Sequence, residues 1–294
     1  MSIKPVPPPE GIPFPEYYPL FMDWRFPISV ATIYTLSVLI LNPKSSKVSR
    51  VVAQSKGIKK SETSSENSSA MTAFIFLHNL LLCVYSLITF VGMGSAHLMN
   101  FWTHSSFTDA YCDRDGSLWN NALGYWGYLF YLSKYYEIID TIIILLKGRR
   151  SSLLQTYHHA GAIITMWSSM NYGATAVWIF VVFNSFIHTI MYAYYAATSI
   201  GLHPPGKQYL TTMQISQFLI GTTLAISYLF VDGCHASAGA KMATWINISY
   251  LFPLTYLFVD FAKKMYGGKK KLSANGNGHL NKSNGYANGH SIKK

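Results

Sequence analysis

Seven long, largely uncharged apolar stretches constrain this chain more than any other feature of its sequence. A helix needs about 20 predominantly apolar residues to cross the hydrocarbon core of a bilayer. Stretches that meet or approach this length cover residues 24–41, 71–93, 122–146, 153–170, 175–199, 209–231 and 242–262. The sequence therefore predicts an all-α polytopic membrane protein with seven transmembrane helices.

The composition excludes the common classes of water-soluble chain. Only 12% of the 294 residues are charged and 50% are hydrophobic, whereas a soluble globular protein has about 25% charged residues. The mean hydropathy is positive, at +0.19. Too few charges are present to cover a solvated exterior, so a soluble enzyme, a disordered chain and a fibrous protein are all disfavoured.

The net charge of +11 predicts a membrane partner and no nucleic acid. The basic residues cluster at 44–60, 147–150 and 263–271, each just outside an apolar stretch. They do not alternate with aromatic residues, as they would in a groove for nucleic acid. Basic residues that flank spans in this way are typical of anchoring at the cytosolic face of a membrane.

The same residues predict the orientation. With seven spans, one side holds 18 of the 23 Lys and Arg residues, and the opposite side holds four. By the positive-inside rule, the C-terminus is cytosolic and the N-terminus is lumenal. The predicted organisation is a lumenal segment over 1–23, a helical domain over 24–265 with a cytosolic loop at 42–70, and a disordered cytosolic tail over 266–294.

Ionisable and polar residues inside the predicted spans mark a candidate site. Lys134, Glu137 and Asp140 lie three residues apart in the third span, and such groups are costly in a membrane unless they face a polar cavity. A buried network that only holds helices together is the alternative. Because residues three apart share one helix face, the three side chains could also pair along it.

Two adjacent histidines open the fourth span. His158 and His159 follow Gln155 by three and four residues, and adjacent side chains on a helix diverge by about 100°, so one histidine is expected to point at a given reactant. A single histidine in a span is often a hydrogen-bonded core residue. Two beside a glutamine favour a site instead.

The fifth and sixth spans also contain polar residues three or four positions apart. Asn184 and His188 are four residues apart, with Tyr192 one turn further, and Gln214 and Gln217 are three apart. Helix-to-helix hydrogen bonding is the alternative for each pair. At a rise of 1.5 Å per residue, these side chains and His158 all fall roughly 10–20 Å below the basic clusters, so they are expected to form one site that opens toward the cytosol.

In order along the chain, these motifs resemble the ELO family of very-long-chain fatty acid elongases. The motifs are Lys134-x-x-Glu137-x-x-Asp140-Thr141, Gln155-x-x-His158-His159, Asn184-x-x-x-His188-x-x-Met191-Tyr192-x-Tyr194-Tyr195 and Thr211-x-x-Gln214-x-x-Gln217. The resemblance implies a 3-ketoacyl-CoA synthase of the endoplasmic reticulum, which joins a long-chain acyl-CoA to malonyl-CoA. It also implies six helices around a central tunnel, with the remaining helix outside, and no metal or other cofactor.

The chain departs from the family at the first position of its histidine box. The family reads His-x-x-His-His, and Gln155 replaces the first histidine. This form is similar to a subgroup associated with polyunsaturated acyl chains. The replacement argues against Gln155 as a base, and we expect it to position a reactant by hydrogen bonding.

The resemblance also implies roles for the polar residues. The expected catalytic group is His158, His159, His188 and Gln155. His158 would attack the acyl thioester to give an acyl-imidazole, with His188 assisting; the alternative is that either histidine only polarises the carbonyl. The expected substrate-binding residues are Lys134, Glu137, Asp140, Asn184, Tyr192, Gln214, Gln217, Lys147, Arg149, Arg150 and Lys207, of which the last four would contact CoA phosphates unless they serve only as membrane anchors.

Acyl-CoA and malonyl-CoA are the expected partners, together with the ketoacyl-CoA reductase, dehydratase and enoyl-CoA reductase of an elongation cycle, and a homodimer is an option. Two other classes compete. A membrane di-iron desaturase also carries a His-x-x-His-His box, but it needs many more histidine ligands than the predicted spans contain. A seven-span receptor or transporter fits the span count, but it would not require the histidine pair.

Two cysteines fall on the predicted lumenal side. Cys112 follows the second span and Cys234 follows the sixth, in a compartment where disulfides persist. We expect them to be bonded, which would close the lumenal end of the tunnel; two free thiols are the alternative. Cys83 lies within the second span.

Overall fold

The computed structural model describes residues 6–43 and 64–275, and it describes side chains over 6–43 and 69–266. Residues 44–63 of the loop predicted over 42–70, and residues 276–294 of the tail predicted over 266–294, lie outside these residues. The main helices are α1 (Tyr18–Met22), α2 (Arg25–Leu41), α3 (Ser64–Thr103), α4 (Phe107–Cys112), α5 (Gly124–Tyr136), α6 (Ile138–Leu146), α7 (Leu153–Asn171), α8 (Val177–Ser199), α9 (Lys207–Ser227) and α10 (Ala238–Asn275). The prediction of an all-α protein is confirmed for the described ranges.

Three of the described helices are long and apolar enough to cross a membrane. They cover Ser69–Thr103, Val177–Ser199 and Ala238–Tyr266. The segment Pro15–Met22 meets α2 at an angle of 69°, and this bent pair passes the same test when it is taken as one span. These helices fit a membrane protein, and the count of seven spans stays a prediction.

Several helix limits differ from the predicted spans. α3 has 40 residues and is therefore roughly 60 Å long, well beyond the predicted 71–93. The stretch predicted as one span over 122–146 breaks at Glu137, where a tight turn brings the Asp140 amide to 3.1 Å from the Glu137 carbonyl oxygen. α10 continues to Asn275, inside the segment predicted as a tail.

The helix contacts close into a ring. Around it, α3 packs on α8, α8 on α9, α9 on α10, α10 on α7, α7 on α5, and α5 returns to α3. α2 contacts α7 from outside this ring. A core of aromatic and aliphatic side chains fills one end of the helix ring and includes Tyr128, Tyr131, Ile163 and Ile179. The other end contains polar side chains.

A disulfide and several hydrogen bonds fasten the filled end. Cys112 at the end of α4 is bonded to Cys234 after α9, with their Cα atoms 4.4 Å apart. These are the two cysteines that we expected to pair. The Tyr111 hydroxyl lies 2.8 Å from the Ser227 hydroxyl, and the Tyr228 hydroxyl donates to the carbonyl oxygen of Tyr111. This end therefore holds the connections after α4 and α9 together.

Candidate active site

A cavity of about 580 Å³ lies inside the helix ring, at the end away from the disulfide. Its wall brings together polar residues from α6, α7, α8 and α9, which are far apart in sequence. The predicted site residues that line it are Asp140, Lys147, Arg149, Gln155, His158, His159, Asn184, His188, Tyr192, Gln214 and Gln217.

His158 has a phenolic partner on α10. Its Nδ1 lies 2.9 Å from the hydroxyl oxygen of Tyr250, and the same hydroxyl lies 3.0 Å from the His158 carbonyl oxygen as a donor. Within the described part of the chain, Nε2 of His158 has no hydrogen-bond partner. This nitrogen is therefore free to react at the cavity wall.

His159 also lines the cavity, although adjacent histidines were expected to point apart. The two rings lie 5.4 Å apart between centroids, but their partners differ. The amide nitrogen of Gln155 lies 2.8 Å from Nε2 of His159. An amide nitrogen can only donate, so Nε2 of His159 accepts and its lone pair is occupied. The two histidines therefore differ at Nε2, which is hydrogen-bonded to Gln155 in His159 and has no such bond in His158 among the described residues.

Lys134 and Glu137 form a buried pair behind the wall of the large cavity. The lysine Nζ lies 2.6 Å from Oε1 of Glu137 and 3.1 Å from Oδ1 of Asn184, and the side chains are 4% and 3% exposed. Neither residue lines the large cavity, but Lys134 lines a smaller cavity next to it, so a substrate contact stays a prediction. Because Oδ1 of Asn184 accepts from lysine, the amide nitrogen of Asn184 is left to donate.

Asp140 pairs with residues on other helices and not along its own. His78 on α3 places Nε2 2.8 Å from Oδ1 of Asp140, and the Tyr192 hydroxyl donates to Oδ2 at 2.7 Å. The turn at Glu137 rotates Asp140 away from Lys134. This three-residue network joins α3, α6 and α8 beside the cavity.

His188 lies opposite the histidine pair, on α8. Its Nδ1 is 3.8 Å from Oε1 of Glu137, and its ring meets the ring of Tyr192 edge to face at 5.3 Å. Among the described residues, Oε2 of Glu137 has no hydrogen-bond partner. The carboxylate therefore provides a negative charge next to His188.

Two amides of α9 complete the polar wall. The Gln214 side-chain nitrogen lies 3.3 Å from the sulfur of Met191, a weak acceptor. Oε1 of Gln217 is buried and has no partner in the described part of the chain. Both amides thus retain hydrogen-bonding capacity toward a ligand.

The basic residues divide into two groups. Lys147 and Arg149 are exposed at the cavity mouth and line it, together with His203. Arg150 and Lys207 are exposed but do not belong to the cavity wall. Lys147 and Arg149 are thus the better placed of the predicted phosphate contacts.

A smaller cavity of about 40 Å³ continues from His158 toward the filled end. His158, Asn184, Gln217 and Phe218 line both cavities. The remaining wall is mainly apolar and includes Phe130, Met166, Phe180, Leu251 and Leu254. The polar chamber thus joins a narrow apolar one at His158.

No set of three or more His, Cys, Asp or Glu side chains is grouped to hold a metal ion within residues 6–43 and 69–266. His158 and polar side chains of α8 and α9 line the same cavity. A profile of the GNS1/SUR4 family, ELO, matches residues 19–274. The chain belongs to this family.

Named relatives in the ELO family agree with the profile. Fatty acid elongase sre1 of Dictyostelium discoideum is 29% identical over 257 residues, covering 85% of this chain and 88% of the relative. Fatty acid elongase A of the same organism is 31% identical over 209 residues, covering 68% and 76%. Fatty acid elongase 2 of Trypanosoma brucei brucei is 29% identical over 211 residues, covering 66% and 76%.

Sequence reasoning missed several residues at this ELO site. Tyr250 is one of 21 tyrosines, and no spacing separates it from its neighbours on α10. Tyr34 lies on α2, outside the ring, and its hydroxyl is 2.8 Å from that of Thr141. Only the packing of distant helices brings these hydroxyl groups to the histidines.

Proposed function

We propose that the protein is the condensing enzyme of fatty acid elongation. It would join a long-chain acyl-CoA and malonyl-CoA to give 3-ketoacyl-CoA, CO2 and CoA. The observation that carries the proposal is the open Nε2 of His158 at the junction of a polar chamber and an apolar one. An acyl-CoA has a charged CoA part on one side of its thioester and an apolar acyl chain on the other. Its reactive carbonyl therefore fits a position between a polar chamber and an apolar one.

In the first step, Nε2 of His158 attacks the carbonyl carbon of the acyl thioester. A carbon–nitrogen bond forms and the carbon–sulfur bond breaks. The CoA thiolate leaves through the open mouth and takes a proton from solvent there. The product on the protein is an acyl-imidazolium at His158.

In the second step, malonyl-CoA loses CO2 as the bond to its carboxyl carbon breaks. The resulting enolate attacks the acyl carbon, a carbon–carbon bond forms, and the bond to Nε2 of His158 breaks. His158 returns to its starting form and the product is two carbons longer. Hydrogen-bond donors to the enolate oxygen lower the barrier, and the free amide nitrogen of Asn184 and the ring of His188 lie on the wall where they can donate.

The remaining polar residues position the side chains of the cavity wall and bind the CoA part of the substrates. Lys134 fixes the direction of the Asn184 amide, and Gln155 occupies Nε2 of His159, which leaves His158 as the nucleophile. Lys147 and Arg149 at the mouth would bind CoA phosphates, because charge-assisted hydrogen bonds to phosphate are strong. The apolar chamber, at about 40 Å³, would take only the first carbons of the acyl chain.

The helix ring supports the proposed membrane architecture. Seven spans would cross the endoplasmic reticulum membrane. Six of them would form a tunnel: α3, α7, α8, α9, α10 and one broken span made of α5 and α6. The seventh span, α2, would lie outside the tunnel. The basic residues at the mouth support a cytosolic position for it by the positive-inside rule. The C-terminus would then be cytosolic, the N-terminus lumenal, and the disulfide in the lumen.

Gln155 in place of a histidine supports a preference for polyunsaturated acyl chains. The product would pass to a ketoacyl-CoA reductase, a dehydratase and an enoyl-CoA reductase, because a 3-keto group needs two reductions and one dehydration to become a saturated chain. The chemistry proposed for His158 requires no metal or organic cofactor.

The direct test incubates purified protein with labelled malonyl-CoA and a panel of saturated and polyunsaturated long-chain acyl-CoAs. We expect a labelled 3-ketoacyl-CoA two carbons longer, most of it from polyunsaturated chains. A matched control is Thr212→Ala, an exposed position on α9. The proposal fails if no acyl chain is lengthened, and iron in the protein with oxygen-dependent double-bond formation would favour a desaturase.

A further inference from the structure

We propose that Tyr250 is a positioning residue for the reaction at His158. It would hold the imidazole proton on Nδ1, so that Nε2 meets the thioester with its lone pair free. This inference rests on the proposed function for the role of His158, but the protonated nitrogen itself can be measured without any activity.

The hydrogen positions follow from a count of donors. The Tyr250 hydroxyl lies 3.0 Å from the His158 carbonyl oxygen and 2.9 Å from His158 Nδ1. A carbonyl oxygen can only accept, and a phenol has one proton to donate. Both contacts are hydrogen bonds only if the phenol donates to the carbonyl and Nδ1–H donates to the phenol oxygen. A neutral imidazole with its proton on Nδ1 has its lone pair on Nε2.

The packing around Tyr250 keeps its hydroxyl in place. The ring of Tyr157 stacks on that of Tyr250 at 5.5 Å with an interplanar angle of 21°, and the Tyr157 hydroxyl donates to the Tyr250 carbonyl oxygen at 3.2 Å. Gly161 faces the same ring, and a methyl group there would overlap it. Contacts between α7 and α10 thus define where the phenol oxygen lies.

The arrangement serves both steps of the reaction. When Nε2 bonds to the acyl carbon, the imidazole becomes an acyl-imidazolium with its proton still on Nδ1. The phenol oxygen accepts from that more acidic N–H, which stabilises the positive charge as it forms. When the enolate takes the acyl group, the bond to Nε2 breaks and the original tautomer returns. No proton has to leave Nδ1 at any stage.

The kinetic test compares Tyr250→Phe with Tyr256→Phe in the full-length protein. Tyr250→Phe keeps the ring that packs on Tyr157 and removes only the hydroxyl. We expect kcat to fall about tenfold to a hundredfold, the size of losing one buried hydrogen bond, with little change in KM for acyl-CoA. Tyr256→Phe removes a hydroxyl from an exposed position on the same helix as Tyr250, away from His158, and it should keep kcat within about twofold.

A second readout reports the tautomer directly. ¹⁵N NMR of protein labelled at histidine, with His158→Gln to assign the signal, distinguishes Nδ1–H from Nε2–H. We expect Nδ1–H at His158 in the wild type and in Tyr256→Phe, and a mixture of tautomers in Tyr250→Phe. Nε2–H in the resting wild type, or a full kcat in Tyr250→Phe, would overturn the inference.

The condensing function and the positioning role of Tyr250 can be rejected independently of each other. If His158→Ala is inactive while Tyr250→Phe has normal kcat, the condensing function stands and the role of Tyr250 is wrong. If the wild type forms no 3-ketoacyl-CoA, the proposed function is wrong and the catalytic role of Tyr250 falls with it, whereas the NMR signal still decides which nitrogen carries the proton.

Discussion

Lys134 donates to Glu137 across 2.6 Å, and both side chains are buried behind the wall of the large cavity. The lysine also donates to the side-chain oxygen Oδ1 of Asn184 at 3.1 Å. The Lys134–Glu137 pair can shape the site without a direct contact to the reacting groups. It fixes a wall amide on one side and places a carboxylate near His188 on the other.

Removing one member of the pair should destabilise the protein strongly. Glu137→Gln leaves the lysine charge buried without compensation, and breaking a buried pair in this way costs about 3–5 kcal/mol. Thermal unfolding in detergent should show the loss. Asp260→Asn is the matched control, because it breaks the exposed pair with Lys264 on α10 and should change stability little. Equal melting temperatures for Glu137→Gln and wild type would contradict the account.

Gln155→His should keep part of the activity. An imidazole N–H can replace the amide that donates to Nε2 of His159, so the lone pair stays occupied, but the ring is larger than the amide. We expect a reduced kcat and a changed preference among acyl chains, measured with the acyl-CoA panel. Complete loss in a folded protein would show that the amide has a role other than hydrogen bonding.

Arg149→Ala should raise KM for both CoA substrates and leave kcat nearly unchanged. The guanidinium group lies at the mouth, where it would meet phosphates but not the reacting carbon. Salt screens exposed charges, so the difference from wild type should shrink at high ionic strength. Lys241→Ala removes the same charge from an exposed position on α10, near the disulfide, and should leave KM unchanged. A similar KM increase in both variants would count against a phosphate site at the mouth.

Replacing Cys112 and Cys234 by serine should lower the melting temperature. The bridge spans 122 residues, and a loop of that size is worth up to about 5 kcal/mol in the chain-entropy account. Cys83→Ser, at the free cysteine, should have a small effect. Peptide mapping of non-reduced protein checks the pairing, and alkylation of both Cys112 and Cys234 before reduction would rule it out.

The sequence predicted which parts of the chain are helical but not where each helix ends. Apolar length marks a helix of the required size, and each predicted stretch is mainly helical in the structure, whereas the short helices α1 and α4 lie outside the predicted stretches. The break at Glu137 has no glycine or proline to mark it. The Glu137 carboxylate is held by Ser133 and Lys134 in the preceding turn of the chain, at 3.1 and 2.6 Å.

The candidate site was predictable to the extent that its residues repeat at helical spacing. His158, Asn184, His188 and Gln217 fall on one face of their helices and line the large cavity. Spacing says nothing about which distant helix lies opposite, so Tyr250 could not be found in this way. For the same reason, the expected pairing along one helix held for Lys134 with Glu137 but not for Asp140, which His78 and Tyr192 hold instead.

The most direct test of the account looks for the acyl group on His158. Wild-type protein is mixed with a labelled acyl-CoA in the absence of malonyl-CoA, quenched and digested, and the modified peptide is identified by mass spectrometry. We predict an acyl group on His158, absent from His158→Ala and discharged when malonyl-CoA is added before the quench. A protein that turns over normally with no acyl group on His158, or with the acyl group on His159 or His188, would contradict the account.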